Sequence, residues 1–234
     1  MKKIIITGAN GLLGQKLIDL YLSQSDKQIL ATGIGPCRHP RRNEIAYQAL
    51  DITQADQVEQ VFEAFQPDCL IHTAAMTNVD ACESEHEQCD ALNVHAVDHL
   101  AKACHKFNVH MVHVSTDFIF DGSHGPLDEQ ATPNPLSYYG ASKLKGEQIV
   151  QEQLSHWAIL RTVLVYGVVS DMSRSNIVLW AKSALEKQQP MKVVDDQFRT
   201  PTLAEDLAMG CFLAAAQRAQ GIYNIAGKDY MSVI

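Results

Sequence analysis

Residues 3–14 read KIIITGANGLLG, an apolar run that passes directly into a segment containing three glycines. The isoleucines predict a short buried strand, and Leu13, Leu17 and Tyr21 then repeat at helical spacing. A strand, a glycine turn and a helix N-terminus form a cradle for a pyrophosphate, because small residues let backbone N–H groups approach the anion. The same glycines also suit an ordinary tight turn, so the position of the segment in the chain has to decide.

Strand-like and helical stretches alternate along the rest of the chain. The strand-like runs are Ile4–Thr7, Gln28–Ile34, Cys69–Thr73, Val109–Ser115 and Ile159–Val165, and the stretches Gln54–Phe65 and Cys89–Phe107 between them are helical. This alternation predicts an α/β fold with a Rossmann-type, doubly wound parallel sheet. The glycine segment follows the first strand, which is where a dinucleotide-binding fold holds phosphate.

The character of the sequence changes near residue 167. A polar loop at Ser170–Ser175, a helix over Asn176–Lys187, the segment Val194–Thr202 and a helix from Leu203 follow. We therefore expect a dinucleotide-binding core over residues 1–166 and a small substrate-binding lobe over residues 167–234. The lobe is expected to interleave with the edge of the core and to be truncated at its C-terminus. An elaborated edge of the main sheet is the alternative.

Composition narrows the classes of partner. The 234 residues are 46% hydrophobic and 20% charged, with a net charge of −8. The overall charge of the protein therefore does not attract nucleic acid or an acidic membrane. The six cysteines form no CxxC pair and no zinc-like cluster, which predicts reduced, mostly buried thiols and no metal. The apolar run near Met1 is too short for a secretory signal, and no stretch is long enough to span a membrane. We expect a cytoplasmic protein.

Two segments supply side chains for proton transfer, STD at residues 115–117 and YGASK at residues 139–143. On a helix, positions i and i+4 share a face, so Tyr139 should present its phenol beside the ammonium of Lys143. An adjacent cation stabilises phenolate and lowers the tyrosine pKa from about 10 toward neutrality. The hydroxyl of Thr116, at a strand end, is suited to hydrogen-bond the same reacting oxygen. Many amphipathic helices carry such a pair without function, so the other motifs matter.

Further motifs follow an order typical of one superfamily. They are HTAA at 72–75, RT at 161–162, VYG at 165–167 and YNIAG at 223–227. With these, the chain resembles an extended short-chain dehydrogenase/reductase. It is most similar to the dTDP-4-dehydrorhamnose reductase family, through AAMTNVDACE at 74–83, STDFIFDG at 115–122 and DQFRTPT at 196–202.

The resemblance implies a hydride transfer between a nicotinamide and a sugar carbon, with Tyr139 exchanging a proton with the sugar oxygen. Lys143 would lower the tyrosine pKa and hold the nicotinamide ribose, and Thr116 would orient the carbonyl. Asn93 would correspond to a helix asparagine that supports a proton relay, although an ordinary capping or kinking role stays open. Motifs and resemblance together assign cofactor contacts to Gly8, Asn10, Gly11, Leu12, Leu13, Gly14, Arg38, Asp51, Ile52, Ala74, Ala75, Thr77, Asn93, Tyr139 and Lys143. Substrate contacts are assigned to Thr77, Val79, Asp80, Thr116, Phe118 and Arg199.

The loop after the second strand bears on the choice of cofactor. Residues 34–42 read IGPCRHPRR and contain no acidic residue to hold the ribose 2′-hydroxyl of NAD. Arg38, Arg41 or Arg42 could instead pair with a 2′-phosphate. NADPH is therefore favoured, with NADH possible and a solvated basic loop as the alternative. By resemblance, the pair Asp51-Ile52 would contact the adenine.

Two departures from the family qualify these expectations. Phe118 stands where related dehydratases carry a glutamate that helps eliminate water, which disfavours dehydration. The chain ends at Ile234, whereas the family continues with a further helix. We expect NADPH-dependent reduction of a nucleotide-linked 4-keto-6-deoxysugar, dTDP-4-dehydrorhamnose or a relative, in a possible homodimer. The alternatives are a nucleotide-sugar epimerase and a regulatory subunit resembling the methionine adenosyltransferase beta subunit.

Overall fold

A seven-stranded parallel sheet forms the centre of the protein. The computed structural model describes residues 2–24, 26–171 and 176–232, so positions 172–175 of the predicted polar loop lie outside the described residues. The sheet contains β1 (Lys3–Thr7), β2 (Gln28–Gly33), β3 (Ala46–Ala49), β4 (Cys69–His72), β5 (His110–Thr116), β6 (Trp157–Thr162) and β8 (Gly221–Ile225). Their order across the sheet is β3-β2-β1-β4-β5-β6-β8. A short antiparallel pair, β7 (Phe198–Arg199) and β9 (Met231–Ser232), lies outside it.

Helices cover both faces of the sheet. They are α1 (Leu12–Gln24), α2 (Ala55–Phe65), α3 (Val79–Ser84), α4 (His86–Asp90), α5 (Ala96–Phe107), α6 (Tyr138–Gln153), α7 (Ile177–Glu186) and α8 (Ala204–Gln217). The side chain of Ile5 packs in one core with α2, α5 and α6, whereas Ile4 and Ile6 pack in another with α1 and α8. Alternate residues of one strand thus enter opposite cores, as the pleat requires. The predicted doubly wound α/β fold is confirmed.

The strand order reverses between β1 and β4. The chain winds outward in one direction through β2 and β3, and in the other direction through β5 and β6. In open parallel sheets, ligands bind in the crevice at such a reversal, beyond the carboxyl ends of the strands. The glycine segment after β1 and the residues after β4 therefore meet at this crevice.

The predicted continuous helix over Cys89–Phe107 is wrong in one respect. A π-helical segment, Ala91–His95, separates α4 from α5. Within it, the carbonyl oxygen of Asn93 lies close to Gly146 of α6. A Cβ on Gly146 would lie only 2.9 Å from that oxygen, so the glycine permits this approach. Short π segments are frequent at functional sites, and this one brings Asn93 against α6.

Two composition-based expectations can be compared with the structure. All six cysteines are free, and all except the half-buried Cys37 are buried, so the prediction of mostly buried thiols is confirmed. Among the helices of the described ranges, none combines the length and apolar character needed to cross a membrane.

Candidate active site

The glycine loop approaches its neighbours so closely that side chains would not fit. Gly8 has a φ of +68°, and a Cβ there would lie 2.6 Å from the Oγ1 of Thr73 and 2.8 Å from the backbone nitrogen of Ala74. A Cβ on Gly14 would lie 2.3 Å from the carbonyl oxygen of Gly8. The N-terminus of α1 thereby sits against the ends of β1 and β4, with its first N–H groups free of helical partners. This geometry suits a pyrophosphate.

Asn10 fastens the loop that follows β2. Its amide nitrogen donates to the carbonyl oxygens of Ile34 and Pro36, at 3.2 and 3.0 Å, and its oxygen accepts from the backbone nitrogen of Arg38 at 2.9 Å. It also donates to the hydroxyl of Tyr47 at 3.1 Å. The side chain of Asn10, a predicted cofactor contact, thus positions the loop that carries Arg38.

The three arginines of that loop are not equivalent. Arg41 is already paired with Glu44, with its Nε 3.0 Å from a carboxylate oxygen, and Arg42 is exposed. The Nε of Arg38 lies 4.0 Å from the carboxylate of Asp171, and its side chain is about one-third exposed, at 37%. Of the three, Arg38 is the arginine that Asn10 of the glycine loop fixes through its backbone nitrogen, and its side chain stays partly accessible to an anion.

The pair predicted to contact adenine is partly committed to the fold. The carboxylate of Asp51 accepts from both the backbone nitrogen and the hydroxyl of Thr53, at 3.0 and 2.7 Å. Ile52 is buried in the core that contains α2 and α5. The side chain of Ile52 therefore contributes mainly to packing.

The start of α6, which carries Tyr139, packs against the segment that follows Thr116. Thr116 ends β5, and its Oγ1 accepts from the backbone nitrogen of Phe118 and donates to the carboxylate of Asp117, both at 3.2 Å. Gly140 lets α6 approach this segment, since a Cβ there would lie 2.2 Å from the carbonyl oxygen of Phe118. Tyr139 is buried, and its ring meets that of Phe118 edge-on at 5.6 Å.

Lys143 lies one helical turn beyond Tyr139 and is buried beneath the end of β5. Its ammonium donates to the carbonyl oxygen of Val114 at 2.8 Å and lies 3.4 Å from the Nε2 of His113. Burial lowers the pKa of Lys143 to about 8, because the charged form loses its hydration. A lysine with this pKa is charged at neutral pH and can stabilise a nearby phenolate.

The side chain of Asn93 hydrogen-bonds both to the segment after β4 and to α6. Its amide oxygen accepts from the backbone nitrogen of Met76 at 2.9 Å, and its amide nitrogen donates to the carbonyl oxygen of the same residue at 3.0 Å. The same nitrogen donates to the hydroxyl of Ser142 on α6 at 3.0 Å. The segment after β4 is thus fixed to α6, whereas a part in a proton relay stays a prediction.

Arg199 connects β7 to Asp117 and Phe118, the residues that follow Thr116. It forms an ion pair with the carboxylate of Asp117 and lies over the ring of Phe118, with its Cζ 5.1 Å from the ring centroid. Burial raises the pKa of Asp117 above its usual value although Arg199 and Thr116 oppose the shift. Of the other predicted substrate contacts, Thr77 and Asp80 are exposed and Val79 is half-buried at the start of α3.

A buried polar layer beneath the site was not predicted. Glu147 and Arg161 form a bidentate pair with N–O distances of 3.1 and 2.7 Å, and their side chains are 0% and 5% exposed. His72 and His113 stack at 5.3 Å, and the Nδ1 of His72 lies 2.7 Å from the hydroxyl of Thr7. The available signal was the presence of charged or imidazole side chains inside otherwise apolar strands. No group of metal-ligating side chains occurs in the ranges that the structure describes.

Comparison with known proteins adds a family to this geometry. A family model described as the RmlD substrate binding domain matches residues 1–234. The chain belongs to this family. A curated relative, the dTDP-4-dehydrorhamnose reductase of Aggregatibacter actinomycetemcomitans, is 31% identical over 99% of this chain and 76% of its own length. The methionine adenosyltransferase 2 subunit beta of Xenopus tropicalis is also 31% identical, over 99% of this chain and 69% of its own length.

A solved structure extends the comparison. The dTDP-4-dehydrorhamnose reductase of Bacillus anthracis, in complex with NADP, superimposes with a TM-score of 0.82 at 30% identity, over 99% of this chain and 77% of that one. Membership of the RmlD family confirms the predicted extended short-chain dehydrogenase/reductase class, an NAD(P)-dependent oxidoreductase with a nicotinamide cofactor. Because the reductase and the subunit are equally similar to this RmlD-family chain, identity alone does not choose between them.

Proposed function

We propose that the protein reduces a nucleotide-linked 4-keto-6-deoxysugar, dTDP-4-dehydrorhamnose or a relative, at the expense of NADPH. The observation that carries the proposal is the joint placement of three groups. Thr116 ends β5, Tyr139 lies in the first turn of α6 with its ring against Phe118, and Lys143 lies buried one turn later. A chain that served only to bind a dinucleotide would have no need of this set.

The chemistry divides between cofactor and protein. Bound NADPH supplies a hydride to the keto carbon, and the oxygen of that carbonyl then needs a proton. Tyr139 donates it, and the ammonium of Lys143 stabilises the phenolate that remains. The hydroxyl of Thr116 hydrogen-bonds the carbonyl oxygen and, together with Tyr139, stabilises the negative charge that develops there.

The cofactor is proposed to lie across the crevice between β1 and β4. The backbone of Gly8, Gly11 and Gly14 would hold the pyrophosphate, and Arg38 the 2′-phosphate, which favours NADPH over NADH. Lys143 would hold the nicotinamide ribose. The remaining proposed cofactor contacts are Asn10, Leu12, Leu13, Asp51, Ile52, Ala74, Ala75, Thr77, Asn93 and Tyr139.

The sugar nucleotide is proposed to bind between that crevice and the lobe of residues 167–234. Arg199, which Asp117 holds against the ring of Phe118, is proposed to contact the diphosphate. The remaining proposed substrate contacts are Thr77, Val79, Asp80, Thr116 and Phe118. A homodimer and a cytoplasmic location remain predictions.

A regulatory dinucleotide-binding subunit is the second candidate. The observation in its favour is the 31% identity to the methionine adenosyltransferase 2 subunit beta of Xenopus tropicalis. In that role the chain would bind a dinucleotide and a synthetase without turning over a sugar. The intact set of Thr116, Tyr139 and Lys143 favours the reductase. A nucleotide-sugar epimerase is the remaining alternative, and it would keep its cofactor bound through the cycle.

The test is loss of NADPH absorbance on addition of dTDP-4-dehydrorhamnose, with NADH as the cofactor control. Tyr139→Phe should lower kcat by about 100-fold or more, because it removes the proton donor, while NADPH binding by calorimetry is retained. Tyr138→Phe is the matched control, since the neighbouring phenol donates to the carboxylate of Asp90 at 2.8 Å instead. It should keep the activity of the wild type.

Other outcomes distinguish the alternatives. Wild-type protein that binds NADPH but turns over no keto sugar, and that copurifies with a synthetase, would favour the regulatory subunit. Cofactor that remains bound through purification, with interconversion of two sugar nucleotides and no net oxidation of NADPH, would favour the epimerase. A Tyr139→Phe variant as active as the wild type would refute the proposed proton donor.

A further inference from the structure

His113 is a buried polar residue that the proposed chemistry leaves without a role. It lies in the middle of β5, fully buried at 0% exposure. Its ring stacks on that of His72 at 5.3 Å, and its Nε2 lies 3.4 Å from the ammonium of Lys143. The neighbouring positions Met111 and Val112 of the same strand are apolar core residues, so the imidazole is an exception that needs a reason.

The contact with Lys143 determines how this ring is protonated. An ammonium has donors only, so the Nε2 of His113 must be the nitrogen without a proton, and the proton is on Nδ1. That Nδ1 has no hydrogen-bond partner among the described residues. A buried N–H without a partner destabilises a fold. An apolar side chain would therefore suit the strand better, and stability does not account for the histidine.

We propose that His113 is a positioning residue for Lys143: its neutral imidazole accepts a hydrogen bond from the ammonium and, with the carbonyl oxygen of Val114, sets where that ammonium points. The proposal deepens the proposed function and rests on it, because Lys143 matters through its effect on Tyr139 and the nicotinamide ribose. It names a side chain of the central strand as part of the apparatus that makes the lysine effective.

The other charged and titratable groups around Lys143 are engaged elsewhere. The carboxylate of Glu147, one turn further along α6, is paired with Arg161 of β6. The thiol of Cys89 on α4 donates a hydrogen bond to the hydroxyl of Ser142 at 3.3 Å, and His72 of β4 is hydrogen-bonded to the hydroxyl of Thr7. Within the described part of the chain, His113 is thus the side chain that accepts from Lys143.

The protonation states support this arrangement. Burial lowers the pKa of His113 well below its usual value, and the nearby charge of Lys143 lowers it further. Burial also lowers the pKa of Lys143 to about 8. Near neutral pH the imidazole is therefore an acceptor and the lysine a donor. If the acceptor is removed, the ammonium loses one of its two partners, and the lysine should lose its proton at lower pH.

The experiment compares three variants of the full chain. His113→Leu removes the acceptor. His113→Gln keeps one, because its amide oxygen reaches about as far as Nε2. His72→Leu is the matched control, since it removes another buried imidazole, one whose Nδ1 is hydrogen-bonded to Thr7. The readouts are the pH profile of kcat/KM, the thermal midpoint, and the titration of the lysine side chains followed by NMR of their Cε groups, with Lys143→Met assigning the signal.

We expect His113→Leu to shift the alkaline limb of the profile by about one unit toward lower pH, which means about tenfold lower activity just above the wild-type limb. The thermal midpoint should stay the same or rise. In His113→Gln the alkaline limb should lie close to its wild-type pH, because the amide oxygen replaces the acceptor. His72→Leu should leave the limb in place. The NMR midpoint of Lys143 should move with the limb.

Some results would overturn the proposal. They are a uniform loss of activity without a shift of the limb, no restoration by His113→Gln, or an NMR midpoint of Lys143 that does not fall in His113→Leu. If His113→Leu does not fold, His113→Phe serves as a second apolar replacement. If the wild type turns over no keto sugar, the proposed function fails, but the NMR titration still shows whether His113 sets the protonation of Lys143.

Discussion

On the side of the crevice where the cofactor is proposed to bind, the half-buried Asn10 and the buried Asn93 hydrogen-bond to the backbone, whereas residues 176–200 expose large apolar side chains. Asn10 and Asn93 make most of their hydrogen bonds to main-chain atoms of loops at the ends of the strands. In the other region Val178, Trp180, Leu185, Val193, Val194 and Phe198 are exposed. Arg199 joins this region to the end of β5 through its ion pair with Asp117, the residue after Thr116.

The contrast separates two ways of building a site. Most of the cofactor side is part of the packed core, so a change to one of its buried residues should disturb folding as well as binding. The side of α7 and β7 adds few buried groups to that core, so a change there should alter substrate binding and leave folding intact. Variants on the two sides should therefore differ in whether the free energy of unfolding changes together with ligand binding.

Gly14→Ala should have the largest effect. The added Cβ would lie 2.3 Å from the carbonyl oxygen of Gly8 and 2.7 Å from the Cα of Ala9, and backbone atoms cannot move aside easily. We expect a loss of about 4 kcal/mol or more in the free energy of unfolding, measured by urea denaturation, together with loss of NADPH binding. Gly125→Ala is the control, because no atom lies within 4 Å of a Cβ placed there. A Gly14→Ala variant that folds and binds normally would remove the distinction.

Glu147→Gln tests the buried ion pair under the site. Because Arg161 would be left as a buried cation without a full partner, we expect a loss of about 3–5 kcal/mol in the free energy of unfolding. Glu186→Gln on α7 is the matched change in the other region, where Lys182 and Glu186 form an exposed pair at 3.8 Å. It should leave the urea midpoint unchanged, because exposed pairs contribute little. Equal losses in both variants would contradict the contrast.

The buried imidazoles predict a pH dependence of stability. Burial lowers the pKa of His72 to about 3, whereas the unfolded value is about 6.5. The unfolded chain therefore binds more protons as pH falls below about 6.5, and His72 should remove about 1.4 kcal/mol of stability per pH unit. Urea denaturation between about pH 7 and pH 5 should show a smaller slope in His72→Leu than in the wild type. Identical slopes would show that the buried ring is already protonated or that the fold opens around it.

Arg38→Ala addresses the cofactor side without disturbing the core. If Arg38 holds the 2′-phosphate, its removal should weaken NADPH binding by about tenfold and leave NADH binding unchanged, as measured by calorimetry. Arg41→Ala is the control, since that guanidinium is paired with Glu44. Equal weakening of both cofactors by Arg38→Ala would indicate a role in the loop instead of in phosphate recognition.

Arg199→Ala makes the corresponding change on the substrate side, with an effect of similar or smaller size. The KM for the nucleotide sugar should rise by about tenfold, as expected for loss of a charged hydrogen bond, while NADPH affinity and the thermal midpoint stay the same. Gln197→Ala is a control on the same segment, where its amide oxygen accepts from Arg199 at 3.1 Å. A fall in thermal midpoint comparable to that of Glu147→Gln would place Arg199 in the structural core.

The fold was largely predictable because local patterns and sheet topology agree. The run before Gly8, the alternation of strands and helices, and the segments around Thr116 and Tyr139 all lie where the patterns indicated. The π segment at Ala91–His95 was not predicted, and within it the carbonyl oxygen of Asn93 lies against Gly146 of α6, a helix distant in the chain. Periodicity within one stretch carries no information about such a contact.

The buried side chains that support the candidate site were not predicted. The pairing of Glu147 with Arg161 and the stacking of His72 on His113 join residues of different elements. These partners depend on strand register and helix position, which the sequence alone does not reveal. The commitment of Arg199 to Asp117 was missed for the same reason, because the two residues are separated by 82 positions in the chain.

The contacts of Asn10 bear on how this site can change over time. Three of them go to main-chain atoms of the loop after β2, namely those of Ile34, Pro36 and Arg38. Main-chain atoms are the same whatever side chains the loop carries. Mutations can therefore exchange the side chains of this loop, including the one proposed to bind the 2′-phosphate, while the loop keeps its shape. Cofactor preference in this lineage should be open to evolution, or to engineering, by few substitutions that leave folding untouched.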